Sequence, residues 1–352
     1  LTLLISEPHS GQERGASGAL AVDTDRLRRS TALRVPQNEQ ISDLAGSAAP
    51  QAVHFIPRPG IDRGVRLSYG IFRFAARTQG SFMTSRQRRP VKAYQDPKFL
   101  ASREARALRI LAEYLEPKRR FDAHRVEDTI VFMGSARVQP PEQAAAALQR
   151  AKGGADLARA RAAVAMSAYY EAARQLAFRL TQWSKSLDPK SRRFVVCTGG
   201  GPGIMEAANR GAAEARGINV GLNISLPDEQ MGNAYITREL AVEFHYFFMR
   251  KFWFAYLAKA VIFFPGGFGT LDEMFELLTL TQTRRMKKPM PIVLFGTGYW
   301  REVIDFDALA RHGMIEAQDA NLVHRTDSVD DAYDWITRQL TRRALGQPGP
   351  ML

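Results

Sequence analysis

At 352 residues, with 45% hydrophobic and 24% charged side chains, the chain has a globular composition and is long enough for one large domain or two small ones. A single cysteine, Cys197, excludes an intrachain disulfide framework and a cysteine zinc cluster, and no run of about 18 apolar residues offers a membrane span, so a cytoplasmic protein with no membrane partner is expected. The net charge of +13 gathers in residues 1–127, above all in Arg86-Gln87-Arg88-Arg89 and Lys118-Arg119-Arg120; residues 128–352 are nearly balanced, which favours ordinary solvated charge over a nucleic-acid surface.

Residues 1–82 keep no sustained period, hold no lysine and contain none of the 11 methionines, which all lie at or after Met83. Translation is expected to start at Met83, leaving 1–82 as an upstream extension or disordered tail. The opening segment lacks the basic leader of a secretory signal. A basic helical segment follows over 83–127. Its apolar positions Leu100, Ala107, Leu108, Leu111 and Leu115 predict one amphipathic helix from Pro97 to Leu115, ended by Pro117 and covering the next domain.

Thr129–Met133 reads as a buried first strand running into the turn Gly134-Ser135. A long helix is predicted from about Leu157 to Trp183, then a strand over 193–198. The alternation becomes regular from there: helix 203–216, strand 218–224, strand 240–245, helix 247–259, strand 260–264 and helix 270–282. Strand 291–295, helix 300–312, strand 322–325 and helix 328–340 complete it. Buried strands alternating with amphipathic helices predict an α/β fold over 128–342, a doubly wound, mostly parallel Rossmann-like sheet with helices on both faces, and a tail over 343–352. Ligands of such sheets bind beyond the carboxyl ends of the strands.

The motifs fall in those turns. Gly199-Gly200-Gly201-Pro202-Gly203-Ile204-Met205-Glu206 joins the strand at 193–198 to the next helix, where free N–H groups and the positive helix end favour a phosphate. It is neither a Walker loop nor GxGxxG. Pro265-Gly266-Gly267-Phe268-Gly269-Thr270-Leu271-Asp272-Glu273 follows the apolar strand Val261–Phe264 and opens another helix, with Glu273 expected in its first turn. Between them, Tyr246-Phe247-Phe248-Met249-Arg250-Lys251 begins a largely apolar helix, and an arginine there can grip a phosphate or a ribose hydroxyl with its planar fork. Each has a plainer structural reading: a tight turn, a helix-start charge, a salt bridge at the sheet rim.

Taken in order, GGGPGIMEAANRGA, LPDEQ, Met249-Arg250-Lys251, PGGFGTLDE, Thr281-Gln282 and Lys288-Pro289 resemble the Lonely Guy family of cytokinin-riboside 5′-monophosphate phosphoribohydrolases, a group once described as lysine decarboxylases. The resemblance covers about residues 128–340. It implies Arg250 and Glu273 as the catalytic pair, with Gly134, Ser135, Gly200, Gly201, Gly203, Met249, Lys251, Gly266, Gly267, Gly269 and Thr270 binding substrate. It also implies a homodimer or larger homo-oligomer and a place in cytokinin biosynthesis. Two departures stand out: Phe247 where the family has methionine, and Gly134-Ser135-Ala136-Arg137 where it often has Gly-Ser-Ser.

Breaking a ribosyl C1′–N bond passes through an oxocarbenium-like state, so a carboxylate at Glu273 suits the chemistry and Arg250 suits alignment of the ribose or phosphate. The scheme needs no metal and no cofactor. Lys251, Lys259, Lys287 and Lys288 lack a recognisable Schiff-base setting, which counts against a pyridoxal decarboxylase. The rival from another class is a non-catalytic nucleotide or molybdenum-cofactor carrier. His245, Cys197 and the aromatic stripe from Phe247 to Tyr256 are assigned to structure or to a subunit interface.

Overall fold

The structure, a computed structural model, describes residues 90–187, 192–226 and 232–350. The expectations for residues 1–82, and most of LPDEQ, lie outside the described residues. Seven strands form the centre: β1 (Thr129–Met133), β2 (Val195–Thr198), β3 (Asn219–Ile224), β4 (Ala241–Phe244), β5 (Ala258–Phe263), β6 (Ile292–Phe295) and β7 (Val323–Thr326). Their order is β4-β3-β2-β1-β5-β6-β7, and every pairing is parallel. The helices that matter below are α1 (Pro97–Ala101), α2 (Arg106–Ala123), α3 (Pro141–Arg150), α4 (Gly154–Leu187), α5 (Ile204–Glu214), α6 (Phe247–Leu257), α7 (Phe268–Gln282), α8 (Thr297–Val303), α9 (Phe306–Arg311) and α10 (Val329–Arg343).

Alternate strand residues face opposite sides of the sheet, so the apolar runs feed two cores. Ile130, Phe132, Val196, Ile262 and Val293 pack with residues of α4, α5 and α10; Val131, Met133, Val195, Val261 and Phe263 pack with residues of α2, α6 and α7. The α/β, doubly wound architecture is therefore as the alternation of elements implied. Among the described residues no helix is long and apolar enough to cross a membrane.

The chain winds outward from β1 through β2 and β3 to β4, then crosses back to β5 on the other side of β1. The connection after β1 leads to α4 on one face and that after β5 leads to α7 on the other. A crevice at the carboxyl ends of two such strands is where open α/β sheets take ligands.

Two helices differ from expectation. The one predicted over Pro97–Leu115 is broken at Ser102, where Arg109 Nη1 donates to the carbonyls of Leu100 (2.7 Å) and Ser102 (2.6 Å) and satisfies the end of α1. Pro117 does not stop α2 but lies inside it. A proline has no N–H for the carbonyl four residues back, here that of Glu113. That carbonyl accepts the indole N–H of Trp253 instead, at 2.9 Å. The face of α2 that docks carries Ile110, Pro117 and Phe121, while the expected face, Leu108, Leu111 and Leu115, is exposed. The helix predicted over 300–312 is two, because Ile304 is extended and Asp305 caps a fresh start by accepting the Ala308 N–H at 2.8 Å.

At the opposite end of the sheet from the carboxyl crevice, Asp128, Arg193 and Lys259 are buried together. Arg193 Nε donates to Asp128, and Lys259 Nζ lies 3.7 Å from it. The segment after α10 is bound into this cluster through the carbonyls of Ala344, Leu345 and Gln347 and the N–H of Gly349.

Candidate active site

The turns after β1 and β5 meet first. The Ser135 N–H donates to the Pro265 carbonyl at 3.0 Å, and the Phe264 N–H to that of Met133 at 2.9 Å. The Ser135 carbonyl in turn accepts the Ile204 N–H, the first of α5, at 3.1 Å. Gly203, which starts α5, has φ of 72°, and a Cβ there would lie 2.3 Å from the Ser135 oxygen. Only glycine lets these two turns touch. At α7, the first N–H with a helical acceptor is that of Leu271, bonded to the Gly267 carbonyl at 3.0 Å, so the donors of Gly269 and Thr270, two residues that line the crevice, precede the ladder.

The crevice is a cavity of about 930 Å³, within the range of nucleotide-sized pockets. Gly134, Ser135, Gly266, Gly267, Gly269 and Thr270 line it, together with Arg250 and Glu273. Arg250 stands one turn into α6, with its N–H bonded to the Tyr246 carbonyl at 3.2 Å and its guanidinium 5.2 Å from the centre of the Phe247 ring. Glu273 projects from the second turn of α7, because that helix begins at Phe268, ahead of the predicted start at 270. It therefore does not sit in the first turn, where an offset against the helix dipole was expected.

Nη2 of Arg250 and Oε1 of Glu273 are 3.5 Å apart, an ion pair too long for a good hydrogen bond. Both side chains are largely buried, and Nε of Arg250 and Oε1 of Glu273 have no hydrogen-bond partner among the described residues. Buried polar atoms of opposite charge left without hydrogen bonds in one cavity wall are costly to the free protein. Burial pushes the Glu273 carboxyl up to about 7, although Arg250 and Lys251 draw it down. Burial also holds the Arg250 guanidinium below its ordinary value, against the pull of Glu273 and Asp272. For Lys251, burial disfavours the charge, but Asp272 and Glu276, each 2.8 Å away, leave it above the usual lysine value.

The remaining expected residues lie elsewhere. Met249 is buried in the core, and Lys251 is engaged by the two carboxylates of α7. Gly200, Gly201 and Gly203 are not among the lining residues, whereas Gly199 and Met205 are. The physical reason is that the loop is turned toward a polar cluster behind it. Asn233 donates to the carbonyls of Gly200 (2.8 Å from its backbone N–H) and Gly201 (3.1 Å from its side chain), and the Gly200 N–H donates to Thr198 Oγ1 at 2.9 Å. Residues without a motif complete the wall: Arg137, Arg159 and Met166, and Tyr299, whose hydroxyl donates to the Gly266 carbonyl at 2.7 Å. Arg137 was visible as a departure in the first turn; Arg159 and Met166 belong to the alanine-rich α4, where nothing in the sequence distinguishes a wall residue from a surface one.

Comparison with known proteins gives three kinds of likeness. Residues 205–336 match the family described as "Possible lysine decarboxylase". The cytokinin riboside 5′-monophosphate phosphoribohydrolase LOG7 of Arabidopsis thaliana is 28% identical over 188 residues, which is 49% of this chain and 80% of that protein. Among solved structures, the molybdenum cofactor carrier protein of Chlamydomonas reinhardtii is 18% identical with a TM-score of 0.36, over 61% of this chain and 99% of that one. The molybdenum cofactor binding protein of Rippkaea orientalis is 16% identical with a TM-score of 0.38, over 61% of this chain and 96% of that one.

Proposed function

We propose that the chain is a member of the Lonely Guy family, a reading supported by its ordered motifs and the match over residues 205–336, and that it hydrolyses the N-glycosidic bond of a nucleoside 5′-monophosphate, a cytokinin riboside or AMP-like nucleotide, to free base and ribose 5-phosphate. The observation that carries this reading is the buried pair Arg250 and Glu273, with unpartnered atoms on both, in the wall of a cavity bounded by the turns after β1 and β5. The 5′-phosphate takes the N–H donors of Gly269 and Thr270, with Gly267 open on its far side. Binding energy from this non-reacting phosphate holds the ribose in place for reaction. Arg250 aligns the ribose. Glu273, ionised, lies against the developing positive charge at C1′ and takes a proton from the attacking water. The water oxygen bonds to C1′, the C1′–N bond breaks with its electron pair going to the base, and the base gains the proton that water lost.

Because that role needs the carboxylate, kcat/KM rises with pH through about 7, the value to which burial pushes Glu273. A homodimer is part of the same proposal, with the half-exposed rings of Phe247 and Phe248 on α6 as apolar surface for it; size-exclusion chromatography with light scattering reads the mass directly. The test of function is release of ribose 5-phosphate from a panel of nucleoside 5′-monophosphates beside the matching nucleosides. Turnover of monophosphates alone supports the reading. Tight nucleotide binding with no turnover across the panel would instead favour the carrier, which keeps binding without Glu273.

A further inference from the structure

Helix α2 lies outside the stretch matched by the family description, yet it holds the start of the helix that carries Arg250. Three bonds run from one residue. The two carboxylate oxygens of Glu113 accept the backbone N–H groups of His245 (2.8 Å) and Tyr246 (3.2 Å), immediately before α6, and its carbonyl accepts the Trp253 indole N–H (2.9 Å). Tyr246 is the N-cap of α6, and no side chain of α6 or its cap residue satisfies these donors. The carbonyl is free to take the indole because Pro117 has no N–H to give it. Around these bonds, Phe121 packs edge-on against Trp253 with ring centres 5.3 Å apart, and Arg120 Nη1 donates to the Ala241 carbonyl at 2.8 Å.

We propose that Glu113 is a positioning residue for Arg250: by clamping both ends of the first two turns of α6, it fixes where the guanidinium stands relative to Glu273. The carboxylate supplies a negative charge and two acceptors at a helix N-terminus, where backbone donors otherwise lack partners. Arg250 is four residues beyond Tyr246 and bonded back to it, so rotation or fraying of that first turn moves its side chain directly. Its distance from Glu273, 3.5 Å, is short enough that a displacement of about 1 Å changes both alignment and the charge felt by the carboxylate. The inference rests on the reading of Arg250 and Glu273 as the reacting pair.

The experiment compares wild type, Glu113→Ala and Glu113→Gln in the full chain, by steady-state kinetics on the nucleotide that the panel identifies and by carbon-13 NMR titration of the Glu273 carboxyl. The groups facing that carboxyl are Arg250, Lys251, Asp272 and Glu276. Glu113→Ala is expected to lower kcat about tenfold or more with KM changed less than about threefold, and to raise the pH at which Glu273 titrates, because Arg250 withdraws. Glu113→Gln keeps one acceptor and restores most of both. A folded Glu113→Ala with lowered thermal stability but unchanged kcat and an unchanged Glu273 titration would overturn the proposal and leave Glu113 as a structural cap. Should Glu113→Ala not fold, Glu113→Asp, which is charged but too short to reach both N–H groups, is read by the same two criteria. A wild type without turnover would remove the hydrolase, and the titration then decides this inference alone.

Discussion

At the scale of single residues, the character of the site comes from burial acting on charge. Glu273 titrates near 7, well above the ordinary 4.5, so the folded protein holds its proton more tightly than the unfolded chain does. The stability linked to it is then fully present below about pH 4.5 and falls as pH rises toward 7. Glu273→Gln removes this dependence. In urea unfolding it should exceed the wild type above pH 7 by on the order of 1–3 kcal/mol and match it near pH 4, a residue traded for function rather than for stability. Equal midpoints at pH 8 would mean that the carboxylate is not held against its own burial. Arg250 is the other half of this balance, with its Nε left without a hydrogen-bond partner among the described residues.

At the scale of elements, glycines and caps decide how closely the turns approach. Gly203→Ala should destabilise the protein by about 1–3 kcal/mol and weaken nucleotide binding, since the new methyl meets the Ser135 carbonyl at 2.3 Å and φ is 72°. Differential scanning calorimetry with a binding titration checks both. Trp253→Phe keeps the ring packed on Phe121 but strands the Glu113 carbonyl, and should cost about 1–2 kcal/mol in the same assay. Both effects turn on contacts between segments distant in sequence. The sheet, by contrast, was legible: β1, β5 and β6 are short apolar runs closed by glycine turns, and the two motifs fall in the expected turns. Arg250 and Glu273 could be picked out as candidates because the residues flanking them form ordered motifs, and the structure sets the two side by side in the cavity wall. The path of α2 was not, since Pro117 reads as a helix stop until Trp253 is seen to take its place in the hydrogen-bond ladder, and the exposed stripe Leu108, Leu111 and Leu115 reads as the buried face. Gly200 and Gly201 illustrate the same limit, because Asn233, 33 and 32 residues further on, holds their carbonyls.

At the scale of the molecule, the two ends of the sheet divide their tasks. Beyond the carboxyl ends of β1 and β5 lies the long Arg250–Glu273 ion pair in the cavity wall, while the amino ends lock Asp128, Arg193 and Lys259 together and bind residues 344–349 over them. Burial pushes the Asp128 carboxyl above its ordinary value even though Arg193 and Lys259 draw it down. Asp128→Ala leaves two buried cations without their anion and should cost about 3–5 kcal/mol, read as a fall in the denaturant midpoint with substrate affinity of the remaining folded protein unchanged. The account as a whole stands on a pair of residues at the other end. The measurement that tests it most directly is single-turnover release of ribose 5-phosphate by wild type, Arg250→Ala and Glu273→Ala, with nucleotide binding followed in parallel. The account predicts turnover by the wild type, a loss of about a thousandfold or more in each variant, and nucleotide binding retained by Glu273→Ala. Turnover that survives in a folded Glu273→Ala would contradict it.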